Sequence, residues 1–213
     1  MKKLFLLAFA ALSMTAMAQH VTPLDIQIAE VKLDSLRTLY LQEPPMYRAS
    51  LDVVAEQLKK NAEELKDAKS ELKAEQSHAK EMDKSIKTAT KMAASIKKLY
   101  DKEEGELKSM QKTVEQQLKT VGKNKELNQE TRDSYSSMLQ QQQNELSYSL
   151  EDVASRKHSI ADMENDLQKA QSTLQTFVQE VQQKATDLAQ LEAQLKERTT
   201  IIKAEQKAAK SMQ

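Results

Sequence analysis

Apolar residues recur at every seventh position along two long stretches of the chain, and this repeat constrains the fold more than any other sequence feature. In the first stretch the repeated positions are Leu51, Leu58, Leu65, Leu72, Ala79, Ile86, Ala93, Tyr100, Leu107, Val114 and Val121. In the second they are Leu139, Leu146, Val153, Ile160, Leu167, Leu174, Val181, Leu188, Leu195, Ile202 and Ala209. A weaker second row follows three positions later in each heptad. Such a repeat predicts α-helices that pack along a seam as a left-handed coiled coil.

The two repeats are separated by a short segment that favours a turn. Gly122 suits the first position beyond a helix, and Asn128 suits an N-cap. We therefore predict a first coiled-coil arm over residues 46–121, a hairpin loop over residues 122–128 and a second arm over residues 129–213. Two arms of similar length joined by a short loop fold back on each other, so the fold class is all-α, a long antiparallel two-helix hairpin.

The register of the two arms has two solutions at the level of sequence. A turn centred near Asn124 and Lys125 places small residues against large ones and puts Leu72 opposite Phe177. A register displaced by one heptad matches small and large residues comparably, and it puts Ala79 against Phe177. Both registers stay open.

Polar and charged residues interrupt the weaker core rows. We expect them to set the register and to disfavour wrong pairings, and a binding role is the alternative. Long charged side chains at such positions can reach outward, but they weaken the packing. The residues concerned are Asn61, Glu75, Glu103, Arg156 and Lys184.

A short N-terminal helix and a Pro-Pro break are predicted over residues 19–45. Thr22 is a candidate N-cap with Pro23 at the first helical position, and the helix is expected to end before Pro44 and Pro45. Its apolar residues lie on two faces, more than a solvated helix carries. We expect it to pack at the base of the hairpin as a local three-helix bundle, with self-association through its second face as the alternative.

The first residues have the features of a secretory signal peptide. Two lysines precede the apolar run 4–12, and residues 16–18 match the small-x-small cleavage pattern. We predict a signal peptide over residues 1–18 with cleavage before Gln19. Because the apolar run is shorter than a bilayer span, we expect no transmembrane segment in the mature chain. The protein is then exported, to the periplasm or, as the alternative, to the extracellular space.

The composition of the chain and the spacing of its reactive residues disfavour catalysis and the binding of metals or nucleic acid. The 32 basic residues balance the 32 acidic ones, so no basic face for nucleic acid is expected. The sequence contains no cysteine, and His20, His78 and His158 are too dispersed to share a metal ion. A two-helix seam offers no deep pocket and no glycine-rich phosphate loop. We therefore predict no catalytic, cofactor-binding or metal-binding residues, no cofactor and no enzymatic activity.

The signal peptide and the heptads together resemble exported bacterial coiled-coil hairpin proteins, including the coiled-coil segment of peptidoglycan-hydrolase activators. The resemblance implies a helical hairpin in the cell envelope. Since the chain ends at Gln213 without a globular regulatory domain, the activating function is not expected. The arms also resemble, more faintly, the tentacles of periplasmic holdase chaperones.

Two functional hypotheses follow from the predicted export and the predicted helical hairpin. The first is a structural or adaptor protein of the cell envelope that binds unidentified protein partners, or a second copy of itself, through coiled-coil surfaces. The alternative is a chaperone-like holdase that binds nonnative clients. Suppression of the aggregation of an unrelated unfolded protein would favour the holdase, and one stoichiometric envelope partner would favour the adaptor.

Overall fold

The fold is described by a computed structural model over residues 21–211, so the predicted signal peptide and His20 lie outside the described residues. Three helices make up almost all of it: α1 is Leu33–Gln42, α2 is Pro44–Lys123 and α3 is Gln129–Ser211. No strand occurs between residues 21 and 211. The predicted all-α hairpin is confirmed, because α2 and α3 pack antiparallel and α1 contacts the base.

The described residues form two compact units. The base unit comprises residues 21–82 and 173–211, and the loop unit comprises residues 83–172. Stretches of α2 and α3 occur in both units, whereas α1 belongs to the base unit alone.

The core of the base unit is built from three parts of the chain. The residues before α2 contribute Ile28, Leu36 and the partly buried Leu24, Ile26, Ala29, Val31 and Leu39. These pack against the strong apolar rows of α2 and α3, so the predicted packing of the N-terminal helix at the base is confirmed. The buried partners include Tyr47, Leu51, Leu58, Leu65, Ala68, Leu188, Ile202 and Ala209.

The N-terminal helix is shorter than predicted. Residues 21–32, which we call the N-terminal segment, contain no helix, and α1 begins only at Leu33. The expectation that Thr22 caps a helix starting at Pro23 is therefore wrong. Lys32 precedes α1 and makes no side-chain capping bond. The segment is held extended instead by side chains of α2 and α3, which bind its backbone groups.

The break between α1 and α2 is a single residue. The Glu43 N–H donates to the Leu39 carbonyl at 2.7 Å, and the Glu43 carbonyl accepts from the Tyr47 N–H at 3.1 Å. Pro44 and Pro45 are the first two residues of α2. At these positions a helix has no intrahelical acceptor for an N–H, so the missing proline donors do no harm.

The loop unit has a two-helix core that is rotated relative to the predicted seam. Its strong rows are buried as expected, with Val114, Leu139 and Leu146 forming one cluster. Near the turn the weaker row, which includes Glu103 and Met110, is exposed, whereas Ala89 and Met163 of the same row, farther from the turn, are buried. Positions four residues after the strong row flank the seam in its place, as Leu118 does beside Val114. Because the weaker row is largely polar here, its removal from the seam avoids burying unpaired polar groups.

The register in each unit corresponds to the displaced solution. In the loop unit Ala93 packs with Met163. In the base unit the rings of His78 and Phe177 lie 6.0 Å apart, which selects the register with Ala79 against Phe177 over the one with Leu72 opposite Phe177. The turn occupies residues 124–128, so its centre lies later in the chain than expected, in the direction of this displacement.

The C-terminal end of α2 differs from the predicted glycine cap. Gly122 is helical and has no positive φ, so the prediction that it lies just beyond the end of the helix is wrong. The Asn124 N–H donates to the Val121 carbonyl at 3.2 Å, which tightens the last turn. The Arg132 guanidinium donates to the Asn124 carbonyl at 2.9 Å.

The N-terminal end of α3 is capped as predicted. The Asn128 side-chain oxygen accepts a hydrogen bond from the Thr131 N–H at 2.8 Å, the standard N-cap contact to the third helical residue. The side-chain oxygen of Asn124 accepts from the Glu126 N–H at 3.0 Å and closes the tight turn before it.

Candidate interaction surfaces

Asn61, which the sequence places in a core row, binds the main chain of the N-terminal segment. Its side chain is 1% exposed. The Asn61 Oδ1 atom accepts from the Ala29 N–H at 3.1 Å, and Nδ2 donates to the Gln27 carbonyl at 3.2 Å. Nδ2 also donates to the Glu64 carboxylate at 2.9 Å. Asn61 therefore serves as a main-chain clamp for an extended segment.

Two further side chains of the helices bind the same backbone. Arg198 on α3 donates to the Ala29 carbonyl at 2.7 Å and to the Ile28 carbonyl. Glu75 on α2 accepts from the Thr22 N–H at 3.0 Å. The N-terminal segment is thus held near both of its ends by polar groups that project from α2 and α3.

The sequence contains a signal for this segment that helical periodicity obscures. Leu24, Ile26 and Ile28 alternate with the exposed residues Asp25 and Gln27, which is the period of an extended chain rather than of a helix. The alternation covers too few residues to outweigh a helix prediction. The role of Arg198 is not predicted either, because its hydrogen-bond partners are backbone carbonyls, which leave no signal in the sequence.

Lys184 is a buried cation with anionic partners on the opposite helix. Its side chain is 4% exposed, and its ammonium lies 2.8 Å from Glu75 and 3.7 Å from Glu71. Glu75 therefore joins the buried cation of α3 to the backbone of the N-terminal segment. A buried charge of this kind is tolerated only when it is paired and hydrogen-bonded.

The two described histidines lie in different environments. His78 packs edge-on against Phe177, and its buried Nε2 atom has no hydrogen-bond partner among the described residues. His158 is exposed and lies 3.8 Å from Asp162 on its own helix. No group of three or more His, Cys, Asp or Glu side chains suited to a metal ion is found within residues 21–211.

The other two charged core-row residues lie on the surface of the loop unit. Glu103 and Arg156 are both exposed. Arg156 pairs with Asp152 one turn away on α3. The expectation that these two residues set the register from within the seam is therefore wrong, because the helices are rotated so that their row faces solvent.

A charged cluster connects the two helices of the loop unit. Lys157 on α3 lies 2.6 Å from Asp101 and 2.7 Å from Glu104 on α2. The hydrogen bond from Lys108, followed by that from Lys157, lowers the pKa of Glu104 from 4.5 to about 2. The Asp101 and Glu104 carboxylates raise the pKa of Lys157. These groups neutralise one another, and the cluster acts as a cross-helix tie.

An open depression of about 470 Å³ lies between the helices of the loop unit. Small side chains in α2 create it, and Glu164 is the ionisable residue in its lining. The Glu164 carboxylate is bonded by Lys97 at 2.8 Å. The site therefore offers a shallow, mainly apolar surface; it is lined by Ile86, Thr90, Ala93, Ala94, Glu164, Leu167, Gln168 and Gln171.

Large apolar side chains form an exposed stripe on α2 in the loop unit. Met92, Leu99 and Met110 are 41%, 65% and 54% exposed. Their spacings of seven and eleven residues bring them within about 20° of one another around a helix. The stripe extends over about 27 Å at 1.5 Å per residue. The heptad pattern predicts that Met110 lies in the seam, and it does not identify Met92 or Leu99 as functional residues.

A smaller apolar patch lies on the base unit. Met46 and Val53, seven residues apart on α2, and Leu41 at the end of α1 are all exposed. Such a patch is compatible with the self-association predicted for the N-terminal region, which stays a prediction.

Within the described part of the chain, no helix combines the length and the apolar character that crossing a membrane requires. Comparisons with protein-family models, with curated proteins and with solved structures produced no match to this chain. Its function must therefore be argued from its own surfaces.

Proposed function

We propose that this protein is a non-enzymatic structural or adaptor protein of the cell envelope that binds protein partners through exposed helical surface. The observation that carries the proposal is the apolar stripe formed by Met92, Leu99 and Met110. Single exposed apolar residues are ordinary, but aligned ones on one helix face are typical of a protein interface.

The spacing of the stripe indicates the kind of partner. Met92 and Leu99 are separated by one heptad, which is the interval at which a third helix packs along an existing one. Glu103 and Glu106 lie in the α2 interval between Leu99 and Met110. Because Glu106 already pairs with Lys102 at 3.6 Å, an aligned partner helix with a basic residue opposite Glu103 would fit best.

The test is a crosslinking pull-down from the native envelope with the full-length protein. The stripe variant carries Met92→Lys, Leu99→Lys and Met110→Lys. The matched control carries the same three charges at the exposed α3 positions Ala154, Ala161 and Asn165. We expect one partner to co-purify stoichiometrically with the wild type and the control and to be lost with the stripe variant.

Two results would contradict this proposal. One is a wild-type protein that captures no envelope partner, and the other is a partner that the stripe variant retains fully. The proposed export is tested separately: the envelope fraction should contain a mature protein that begins at Gln19, as determined by mass spectrometry of its N-terminus.

A holdase that binds nonnative clients is the second candidate, and the methionines of the stripe favour it. Methionine side chains are flexible and polarizable, so they adapt to many apolar partners. A holdase should suppress the aggregation of an unrelated unfolded protein in proportion to its concentration. If the stripe variant loses this activity while the control retains it, the holdase is favoured over the adaptor.

A further inference from the structure

The N-terminal segment behaves structurally like a bound extended peptide. It forms neither helix nor strand ladder, although its apolar residues alternate with polar ones. Ile28 is buried in the core of the base unit, with Leu24 and Ile26 packed against the same cluster. Its neighbours Asp25 and Gln27 are exposed. One side of the segment therefore faces the helices and the other faces solvent.

The helices recognise the main chain of this segment through their side chains. The Asn61 side chain accepts a hydrogen bond from the Ala29 N–H at 3.1 Å and donates one to the Gln27 carbonyl at 3.2 Å. Arg198 donates to the Ile28 and Ala29 carbonyls, and Glu75 accepts the Thr22 N–H. None of these bonds involves a side chain of the segment. The same contacts are available to any extended peptide, which is how main-chain recognition combines affinity with tolerance of sequence.

The position of Asn61 within the helical repeat supports a binding role. A polar residue at a core-row position weakens a two-helix seam and needs hydrogen-bond partners. Two of the three hydrogen bonds made by the buried Asn61 amide lead to the N-terminal segment. Arg198, in the corresponding row of α3, also directs its bonds to the segment. These two side chains are arranged for an extended backbone rather than for each other's helix.

We propose that the groove of the base unit is a binding site for an extended peptide of a partner protein, and that residues 21–32 occupy it in this structure. The ligand is an extended segment with large apolar side chains at alternate positions, equivalent to Leu24, Ile26 and Ile28. It carries a free N–H at the position of Ala29, so proline is excluded there. This groove is separate from the apolar stripe, and the two proposals are tested independently.

The test uses the full-length protein and a fluorescein-labelled synthetic peptide of residues 21–32. In the wild type the tethered segment competes at high effective concentration, so the peptide binds weakly. The released variant carries Ile28→Asp and Ala29→Pro, which remove an apolar anchor and the N–H bound by Asn61. We expect the peptide to bind this variant at least tenfold more tightly than the wild type, as measured by fluorescence anisotropy.

Two matched controls assign the binding to the groove. Adding Asn61→Leu to the released variant should weaken binding at least tenfold, because the main-chain clamp is lost. A peptide that itself carries the Ile28→Asp and Ala29→Pro changes should not bind. Because Ile28→Asp also removes a residue from the core of the base unit, Ala29→Pro alone, which keeps every apolar anchor, provides a second released protein. It should also bind the peptide more tightly than the wild type.

The outcomes decide the proposal. Released variants that keep their helical circular dichroism but bind no peptide would overturn it. A loss of helical signal in both released variants would also overturn it, because the segment would then be an indispensable part of the core. A wild-type dimer that becomes monomeric in both released variants would assign the groove to a second copy and overturn the assignment to a partner protein.

Discussion

The base unit and the loop unit use the same sevenfold apolar repeat but pack differently. In the base unit a third part of the chain covers the seam, and the core-row residues Asn61 and Lys184 are among its most buried side chains. In the loop unit two helices pack alone, and the core-row residues Glu103 and Arg156 are exposed. The difference shows that a polar residue in a heptad core row is buried only where another element supplies its partner.

The same contrast is visible in the apolar residues. The largest cluster of the base unit joins residues from α1, α2, α3 and the N-terminal segment. The clusters of the loop unit are smaller, and one of them relies on Ala89 and Ala93. Apolar residues left over from a two-helix seam, such as Leu99, remain on the surface. The repeat therefore fixes the direction of the helices, and the number of packed elements fixes how much each one buries.

The largest expected effect comes from the same truncation in the two units. Leu188, 2% exposed in the base core, and Leu146, 9% exposed in the loop unit, both belong to the strong row of α3. We expect Leu188→Ala to lower the free energy of unfolding by about 4 kcal/mol and Leu146→Ala by about 2 kcal/mol. The reason is that Leu188 is surrounded by three parts of the chain, so its neighbours can move less to fill the cavity that the truncation leaves.

Native-state hydrogen exchange measures this difference, because it reports the opening of each stretch of helix separately. The amides around the mutated position should lose protection in each variant, and more so for Leu188→Ala. Equal losses for the two leucines would contradict the claim that the base unit is more tightly packed.

A second contrast concerns ion pairs. The Lys184 ammonium lies 2.8 Å from the Glu75 carboxylate in a mostly buried site. Lys184→Ala leaves this carboxylate without its cation. We expect a loss of about 3 kcal/mol in the free energy of unfolding. In the loop unit the more exposed pair of Lys97 and Glu164 is the control, and Lys97→Ala should cost less than about 1 kcal/mol. Urea denaturation of both variants measures the difference, and similar losses would show that burial is not the deciding factor.

A third change is expected to strengthen the weaker unit. Gly105 is an exposed helical position in the loop unit, and a Cβ added there meets no atom within 4 Å. Because alanine restricts the unfolded chain and favours the helix, Gly105→Ala should stabilise the surrounding helix by about 1 kcal/mol. Hydrogen exchange of the neighbouring amides measures it. Gly122→Ala is the control with a smaller gain, since it lies in the last turn of α2; a destabilised Gly105→Ala protein would contradict the expectation.

The helical hairpin could be predicted from sequence because it depends on a long periodic signal. The strong rows from Leu51 to Val121 and from Leu139 to Ala209 contain no polar residue, and the Asn128 cap is a local contact that its residue type specifies. Features of this kind need no knowledge of distant neighbours. The same holds for the absence of a strand in the described residues.

The remaining features depend on contacts between residues far apart in sequence. The N-terminal segment is extended because Asn61 and Arg198 bind its backbone, and the local alternation of apolar and polar residues after Pro23 is too short to predict this. The register depends on where the chain folds back, and a shift of that centre by about three to four residues changes the pairing of the arms by one heptad. The exposed stripe follows from the rotation of the loop-unit helices. That rotation depends on which residues, beside those of the strong row, become buried at the seam.

The smallest expected effect separates the electrostatics of the loop unit from its packing. Lys108 and Lys157 lower the pKa of Glu104 from 4.5 to about 2, so folding favours the ionised carboxylate. Its contribution to stability is therefore complete above pH 4.5 and is lost as the pH falls towards about 2. Glu104→Gln cannot ionise, so its thermal midpoint should fall less steeply than that of the wild type over this range. Glu106→Gln, which alters an exposed pair with Lys102 at 3.6 Å, should retain the wild-type slope. Identical pH profiles for Glu104→Gln and the wild type would mean that ionised Glu104 contributes nothing measurable to holding these two helices together.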